Sequence, residues 1–472
     1  MTFTSFAYAG FLTVVAGLYW VAPRRARPPL LLVASYVFYA SWSASATVIL
    51  AAVTAVVFLA APAIERSEGA RRTAITGGAV VAAAASLLVL KTVEALGLTT
   101  DASQSFAVPV GLSFFSFHAI SYLVDVHRGT TAARRDPIDV ALYLSFFPHL
   151  LAGPVVRSHK LIGAFHQVDR RPDGVRMAEA AELLLVGTFK KVVVADPVLV
   201  TSGAVLADAS HAGTVEVALA LVATLVAAYF DVTGYIDIAR GSAKVLGIDM
   251  PRNNLLPLLR SSSYADFWRR WQLTIMAWFR DYVYRPLRGD RRDGIREYLA
   301  LAATFFFLGV WHGLSAGWIL WGLVSGAIIV AERVRQSRRA VRRRRQVARA
   351  RRARDRSLLP RPPSAVASLA SALGLVLATM PLVVVSSLDD SLDVYGALLG
   401  FRGGPVSVAL AWYLAAALVA LVVVDRREER REARAGRRDP VTLARAIAFG
   451  VYLLAIVVSA GPASRSFIYF AF

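Results

Sequence analysis

The chain has 472 residues, 56% of them hydrophobic, a mean hydropathy of +0.53 and no cysteine, which excludes disulfides, thiolate chemistry and cysteine-ligated metal sites within it. Many apolar runs approach the roughly 20 residues that cross a hydrocarbon core of about 30 Å, and none alternates as β-barrel strands do, so the chain reads as an all-α polytopic membrane protein. The net charge of +21 would suggest nucleic acid in a soluble protein, but here the excess lies in loops and lacks interleaved aromatics. No nucleic-acid partner is expected.

The predicted elements are about eleven spans, at 4–22, 29–42, 44–63, 74–96, 106–126, 179–199, 213–232, 299–331, 364–387, 405–424 and 441–460. Short runs at 138–156 and 234–248 read as re-entrant or partly buried. The first run has no basic leader and no cleavage site, and reads as a retained span. We take the chain as one integral membrane unit, 1–472, with N-terminal helices (1–105), a core (106–331), an Arg-rich loop (332–362) and C-terminal helices (363–472).

Arginine-rich loops stay cytoplasmic, and this orients the chain. "RRAR" after the first span, "ERSEGARR" (65–72), "HRGTTAARR" (127–135), the run from Glu332 to Arg356 and "DRREERREARAGRR" (425–438) all fall inside. "SSLDDSLDVYG" (386–396), with three acids and no base, falls outside, as do both termini. The Arg run also suits anionic lipid.

The segment from Leu299 to Ala331 carries no charged residue, yet both its flanks are basic and should be cytoplasmic. About 33 residues are too few for two crossings of roughly 20 each. A broken pair of half-spans, bent near "GVWHG" and lining a cavity, resolves the conflict. His312 lies at this bend. It reads either as a neutral histidine tying helices together or as a proton carrier, since imidazole titrates near neutral pH. "GLSAG" (313–317) matches a nucleophile-elbow pattern but lacks the strand that the elbow needs. Gly309, Gly313 and Gly317 are spaced for close helix packing.

Further motifs flank this segment. "YADFWRRWQLTIMAWFRDYVYRPL" (264–287) predicts an amphipathic interfacial helix, with Trp268, Trp271, Ile275, Trp278, Phe279 and Tyr282 on one face. Arg269, Arg270, Arg280 and Asp281 lie mostly off that face, where arginines can meet an anionic donor. "VPVGLSFFSFHAISYLVDVHRG" (108–129) and "YLSFFPHLLAGPVVR" (143–157) carry His118 and His149, both read as structural. Lys190 and Lys191 in "GTFKKVVVADPV" either snorkel to the surface or meet a phosphate. Asp237, Arg240 and Lys244 share a helical face, and Asn253 and Asn254 follow in a polar turn. Nucleotide-loop and zinc-protease motifs are absent, and no metal is expected.

In this order, "VPVGLSFFSFHAISYLVDVHRG", "YLSFFPHLLAGPVVR", "GTFKKVVVADP", "YADFWRRWQLTIMAWFRDYVYRPLRG", "FLGVWHGLSAGWILWG" and the terminal "FIYFAF" resemble the membrane-bound O-acyltransferase family. The likeness is to its bacterial branch, concerned with alginate O-acetylation and teichoic acid D-alanylation. The resemblance implies a ring of helices around a thin core, with a cavity reaching a catalytic histidine from both sides. It implies an acyl donor such as acyl-CoA or an acyl-carrier thioester, a glycan or other hydroxyl acceptor, and an extracytoplasmic esterase-like partner protein. The family histidine matches His312. The second family histidine matches Gln272, which hydrogen-bonds but does not accept a proton at neutral pH. Where the family often has Gln, this chain has His118 and His149.

The chemistry agrees with that likeness. Acyl transfer needs a base for the hydroxyl, for which His312 is suited, and the resemblance makes Gln272 the second candidate catalytic residue, able to orient a substrate. It needs donors for the oxyanion, which Trp311, Trp318 or backbone amides at the bend can supply. Arg269, Arg270, Trp271, Arg280, Asp281, Trp311 and Asn253 are the candidate donor-binding residues, the arginines for phosphate. Two other readings stand beside it: a transporter or flippase of envelope precursors, and a non-catalytic scaffold for an extracellular acyltransferase.

Overall fold

The computed structural model describes residues 1–95, 111–151, 153–168, 173–253, 260–290, 294–353, 364–385, 387–433 and 443–459. Asn254, the terminal "FIYFAF" and parts of the 106–126 span, the Arg run and the 425–438 loop lie outside them. Among the described residues the secondary structure is helical, with no strand.

The first helices are α1 (Phe6–Val21), α2 (Arg27–Ala40), α3 (Ala44–Glu65), α4 (Gly69–Ala95), α5 (Leu112–His127), α6 (Pro137–Ser145), α7 (Phe147–Leu150) and α8 (Ser158–Gln167). Helices α2 to α6 pack together. Ser5 and Ser43 cap α1 and α3 through their hydroxyls, and Asp136 caps α6 ahead of Pro137. Outward-facing Val48, Leu59, Val81 and Val89 are exposed, as suits a lipid-facing surface. Helix α5, in contrast, is buried on nearly every side, from Leu112 through Val126, and is a core helix.

Next come α9 (Gly174–Thr188), a π-helical stretch at Phe189–Ala195, α10 (Asp196–Ala207) and α11 (Thr214–Val245). The sequence reading ended a span at 232 and treated 234–248 as re-entrant. Instead α11 runs unbroken for 32 residues, about 48 Å. Ion pairs along one side explain its continuity. Lys191, fully buried, lies 2.6 Å from both Asp231 and Asp196; Lys190 meets Asp237 at 2.6 Å; Lys244 meets Glu179 at 2.8 Å. The two lysines therefore neither snorkel nor face a phosphate. The π-helical stretch turns both toward α11, where a buried ammonium has carboxylate partners. Asp237 also pairs with Arg240, as the i,i+3 spacing predicts.

The third group is α12 (Tyr264–Arg270), α13 (Leu273–Phe279), a π-helical stretch at Arg280–Tyr284, α14 (Arg285–Arg288), α15 (Ile295–His312) and α16 (Ala316–Ala353). The predicted single amphipathic helix at 264–287 is broken at Trp271 and Gln272, because Gln272 adopts a left-handed conformation, φ +46°. Helices α15 and α16 form the bent pair, broken after His312 as expected. Their arms are longer than half-spans: α15 has 18 residues, and α16 continues as one helix into the Arg run. The turn needs only Gly313, Leu314 and Ser315, so two long arms fit where the span arithmetic did not allow them.

The chain ends with α17 (Ala365–Thr379), α18 (Pro381–Val384), α19 (Leu388–Leu399), α20 (Val408–Ala433) and α21 (Leu443–Ser459). The expected span at 364–387 is divided at Met380, ahead of Pro381, whose ring nitrogen has no N–H with which to continue the helix's hydrogen bonds. Among the described residues four helices are long and apolar enough to cross a membrane: Ala44–Glu65, Gly69–Val93, Thr214–Val245 and Ala316–Val347. Shorter apolar helices at Phe6–Val21, Ala365–Thr379, Val408–Val424 and Ala446–Ser459 accompany them.

The expected stripe of Gly309, Gly313 and Gly317 is divided by the turn, and the three pack closely on different partners rather than as one ribbon. Where the two arms cross, close packing falls on Gly309, Gly322 and Gly326. A Cβ on Gly309 would lie 2.5 Å from the Trp318 carbonyl oxygen, one on Gly322 2.9 Å from that of Phe305, and one on Gly326 3.0 Å from that of Ala302. Substituting Gly309→Val is expected to destabilise the protein by about 1–3 kcal/mol through overpacking, read as a lower midpoint of thermal unfolding in detergent. Gly374→Ala in α17, where nothing lies within 4 Å, is expected to leave that midpoint unchanged or slightly raised.

Candidate functional site

His312 is the last residue of α15, and three indoles enclose it. Its ring stacks on Trp318 at 4.4 Å and 10°, lies 4.3 Å from Trp311 and meets Trp321 edge-on at 6.1 Å. Gly313 makes the stack possible, since a Cβ there would lie 2.6 Å from the Trp318 ring. Behind Trp311 lie Phe117 and Phe279. The Lys91 ammonium, on α4, donates to the His312 carbonyl oxygen at 2.7 Å. Lys91 was not singled out in the sequence. The only signal was a lysine late in an apolar run.

Gln272 is buried between α12 and α13. A left-handed non-glycine residue costs of order 1 kcal/mol or more, and such strain persists where the surroundings over-determine it. Asn253 helps to do so. Its carbonyl accepts from the Leu273 amide, and its Oδ1 accepts from the Thr274 amide and hydroxyl, each at 2.7 Å. The Thr274 hydroxyl oxygen accepts in turn from the Val155 amide at 3.0 Å. Asn253 thus shapes the backbone at Gln272. From there Trp268, one turn earlier, meets Trp321 at 5.5 Å, and Trp321 meets His312.

A cavity of about 440 Å³ opens beside this aromatic layer. Trp268, Phe305, Thr304, Leu301, Leu273 and Met276 line it together with the charged Arg269, Arg280, Glu297 and Arg333 and the neutral Gln336. Trp268 and Phe305, both in its wall, meet edge-on at 6.0 Å. Of the candidate donor-binding residues, Arg269 and Arg280 line the cavity. Arg270 does not, and pairs with Asp266 at 3.2 Å. Trp271 is packed against Phe267 and Tyr229, Asn253 supports the Gln272 turn, and Trp311 packs on His312. Glu297 and Arg333, which pair at 2.9 Å, were not singled out in the sequence.

Asp281 stands behind the rim as a hub. It meets Arg157 at 2.8 Å, Arg280 at 2.9 Å and Arg285 at 3.0 Å, and its carbonyl accepts from Arg128. Burial pushes its carboxyl up, but the hydrogen bonds and charge of Arg280, with the charges of Arg285 and Arg157, outweigh this and hold it below the ordinary carboxylate value. The basic loops meet here and nearby. Glu65 binds the Ala133 amide and Arg135, and Arg72 binds the Val126 carbonyl. The turn carrying His312 points the other way, with Gly317 packed on the Leu382 backbone ahead of the acidic 386–396 segment.

His118 and His149 stack at 4.3 Å and are fully buried. His118 Nδ1 is bonded to the Phe114 carbonyl at 2.8 Å, so it donates, and Nε2 accepts from the Val156 amide at 3.3 Å. Both ring nitrogens are thereby engaged in the neutral form, which matches the structural reading of His118.

An all-α body with long apolar helices, an enclosed imidazole and a cavity on the basic face defines a multi-pass membrane protein with an internal site. A model of the membrane-bound O-acyltransferase family matches residues 34–353, and the chain belongs to that family. It is 34% identical over 327 residues to a probable alginate O-acetylase AlgI of Pseudomonas fluorescens, covering 68% of this chain and 64% of that protein. It is 29% identical over 251 residues to a peptidoglycan O-acetyltransferase of Helicobacter pylori, covering 48% and 47%. A teichoic acid D-alanyltransferase of Bacillus subtilis shares 24% over 234 residues, covering 47% and 58%. The chain spans just under two thirds of the length of the Pseudomonas fluorescens relative.

Asp281→Asn is expected to lower the thermal midpoint at pH 7. A carboxyl held low in the folded state stabilises it above the unfolded value of about 3.9, and that contribution is lost as pH falls through the folded value. The gap between wild type and variant should therefore narrow below about pH 4, measured by thermal unfolding across pH.

Proposed function

We propose that this protein is an O-acyltransferase of the bacterial cell membrane. It moves an acyl group, acetyl by its relatives' names, from a cytoplasmic thioester to a hydroxyl of an extracytoplasmic glycan or of an esterase-like partner protein that serves one. The observation that carries this reading is the cavity: its wall combines the partly exposed Arg269, Arg280 and Arg333 with Trp268 and Phe305, and Trp268 touches Trp321, which touches His312. Its 440 Å³ falls in the range of about 300–1,000 Å³ typical of small-molecule sites. The arginine rim suits the phosphates of an acyl-CoA or a carrier-bound pantetheine, and the apolar wall suits the acyl-thioester arm.

In the chemical step, His312 takes the proton of the acceptor hydroxyl as its oxygen attacks the thioester carbonyl. A C–O bond forms, the C–S bond breaks, and the thiolate leaves with the proton returned from the imidazolium. The three indoles exclude water, which favours transfer over hydrolysis. Gln272 orients a substrate and carries no proton. The basic face is cytoplasmic, the turn at His312 lies toward the extracytoplasmic side, and the exposed Arg run of α16 borders anionic lipid.

His312→Ala is expected to abolish acyl transfer from radiolabelled acetyl-CoA by the purified protein while leaving membrane insertion and yield intact. Arg269→Ala should raise KM for the donor several-fold with little change in kcat, because Arg269 is largely exposed in the cavity wall and its ion pair with Asp266 is long, at 3.4 Å. Full activity of His312→Ala would remove the base from this scheme. Gln272→His is expected to keep transfer within about threefold of wild type in the same assay, since histidine is among the residues that tolerate the left-handed region.

A further inference from the structure

The active-site histidine sits on the last residue of a helix, at a turn of three residues, where a helix end frays most readily. The His312 carbonyl is one of the four at the α15 terminus without an intrahelical partner. Lys91 supplies one: its Nζ lies 2.7 Å from that oxygen. Lys91 is itself costly, a nearly buried charge (6% exposed) in a helix that contains an 18-residue window of mean hydropathy 2.0. It lies 22 residues after Gly69, about 33 Å along α4, so only the far end of that helix reaches the turn. A cation at a helix C-terminus also complements the partial negative charge of the aligned carbonyls.

We propose that Lys91 is a positioning residue for His312. It clamps the final turn of α15, so that the imidazole stays stacked on Trp318 and aimed at the reacting groups, and it links the catalytic turn to α4. This rests on the acyl-transfer reading for its kinetic consequence, but not for the clamp itself. The other contact that secures the turn, Gly317 on the Leu382 backbone, lies beyond it on α16 and holds the opposite arm. Lys91 is thus the contact on the histidine's own helix end.

The test compares wild type, Lys91→Met, Lys91→Arg and His312→Ala, each purified as the full chain in detergent. Transfer from radiolabelled acetyl-CoA gives kcat and KM, and hydrogen exchange reports the Gly313 amide, which is bonded to the Gly309 carbonyl at 3.0 Å. Lys91→Met is expected to lower kcat at least tenfold with KM within about twofold, and to speed exchange at Gly313 without lowering the thermal midpoint enough to unfold the protein at assay temperature. Lys91→Arg should restore kcat to within about threefold and restore protection. Wild-type kcat and wild-type exchange in Lys91→Met would overturn the inference. So would a loss that Lys91→Arg fails to rescue and that accompanies general unfolding, since that is a merely structural role. If wild type itself transfers no acyl group, the functional reading fails, and the exchange comparison still decides whether Lys91 holds the helix end.

Discussion

The close approach of two backbones governs this structure. Helices α15 and α16 cross where Gly309, Gly322 and Gly326 leave no room for a side chain, with carbonyl oxygens of Trp318, Phe305 and Ala302 within 2.5–3.0 Å of where a Cβ would stand. In lipid, apolar side chains gain little by leaving one apolar medium for another, so van der Waals packing of this kind supplies the association. The crossing sets the register of the two arms. The register places Trp318 and Trp321 of one arm over His312 of the other. It also brings Glu297 and Arg333 together at the open end, which becomes part of the cavity wall. The histidine, its enclosure and the cavity all follow from one contact between two arms.

The placement of charge follows a related constraint. Ionic groups away from water are stable only with partners, and this protein divides them into three uses. Lys190, Lys191 and Lys244 tie α11 to its neighbours, and make one long helix of a stretch that reads as two. The Asp281 hub gathers Arg157, Arg280 and Arg285 and steadies the broken 264–288 segment behind the rim. Lys91 alone crosses to the end of α15 that bears His312. The charged residues of the cavity wall and the turn at His312 therefore lie toward opposite ends of α15.

Much of the site was legible from local pattern. The apolar runs identified a helical membrane protein, the charged flanks of 299–331 required a bend near His312, and the proline-rich 143–157 run proved to be short helices and extended chain. What local pattern missed has a common cause. The break at Gln272 arises from contacts with Asn253 and, through Thr274, with Val155, which are far away in sequence. An amphipathic repeat gives no warning of it. Trp271 and Arg270 looked like ligand-binding residues because of their type, but the break turns Trp271 onto Phe267 and Tyr229 and leaves Arg270 on Asp266.

The sequence by itself determined the membrane class, the family likeness and the histidine, because hydropathy, charge runs and motif order are properties of neighbouring residues. Tertiary structure alone decided that Lys91 meets His312 across 221 residues, that Arg333 and Glu297 join the cavity, and that Lys191 is an internal tie. Each depends on which helix faces which. That is set by side-chain size and register at helix crossings, and no one-dimensional pattern carries it.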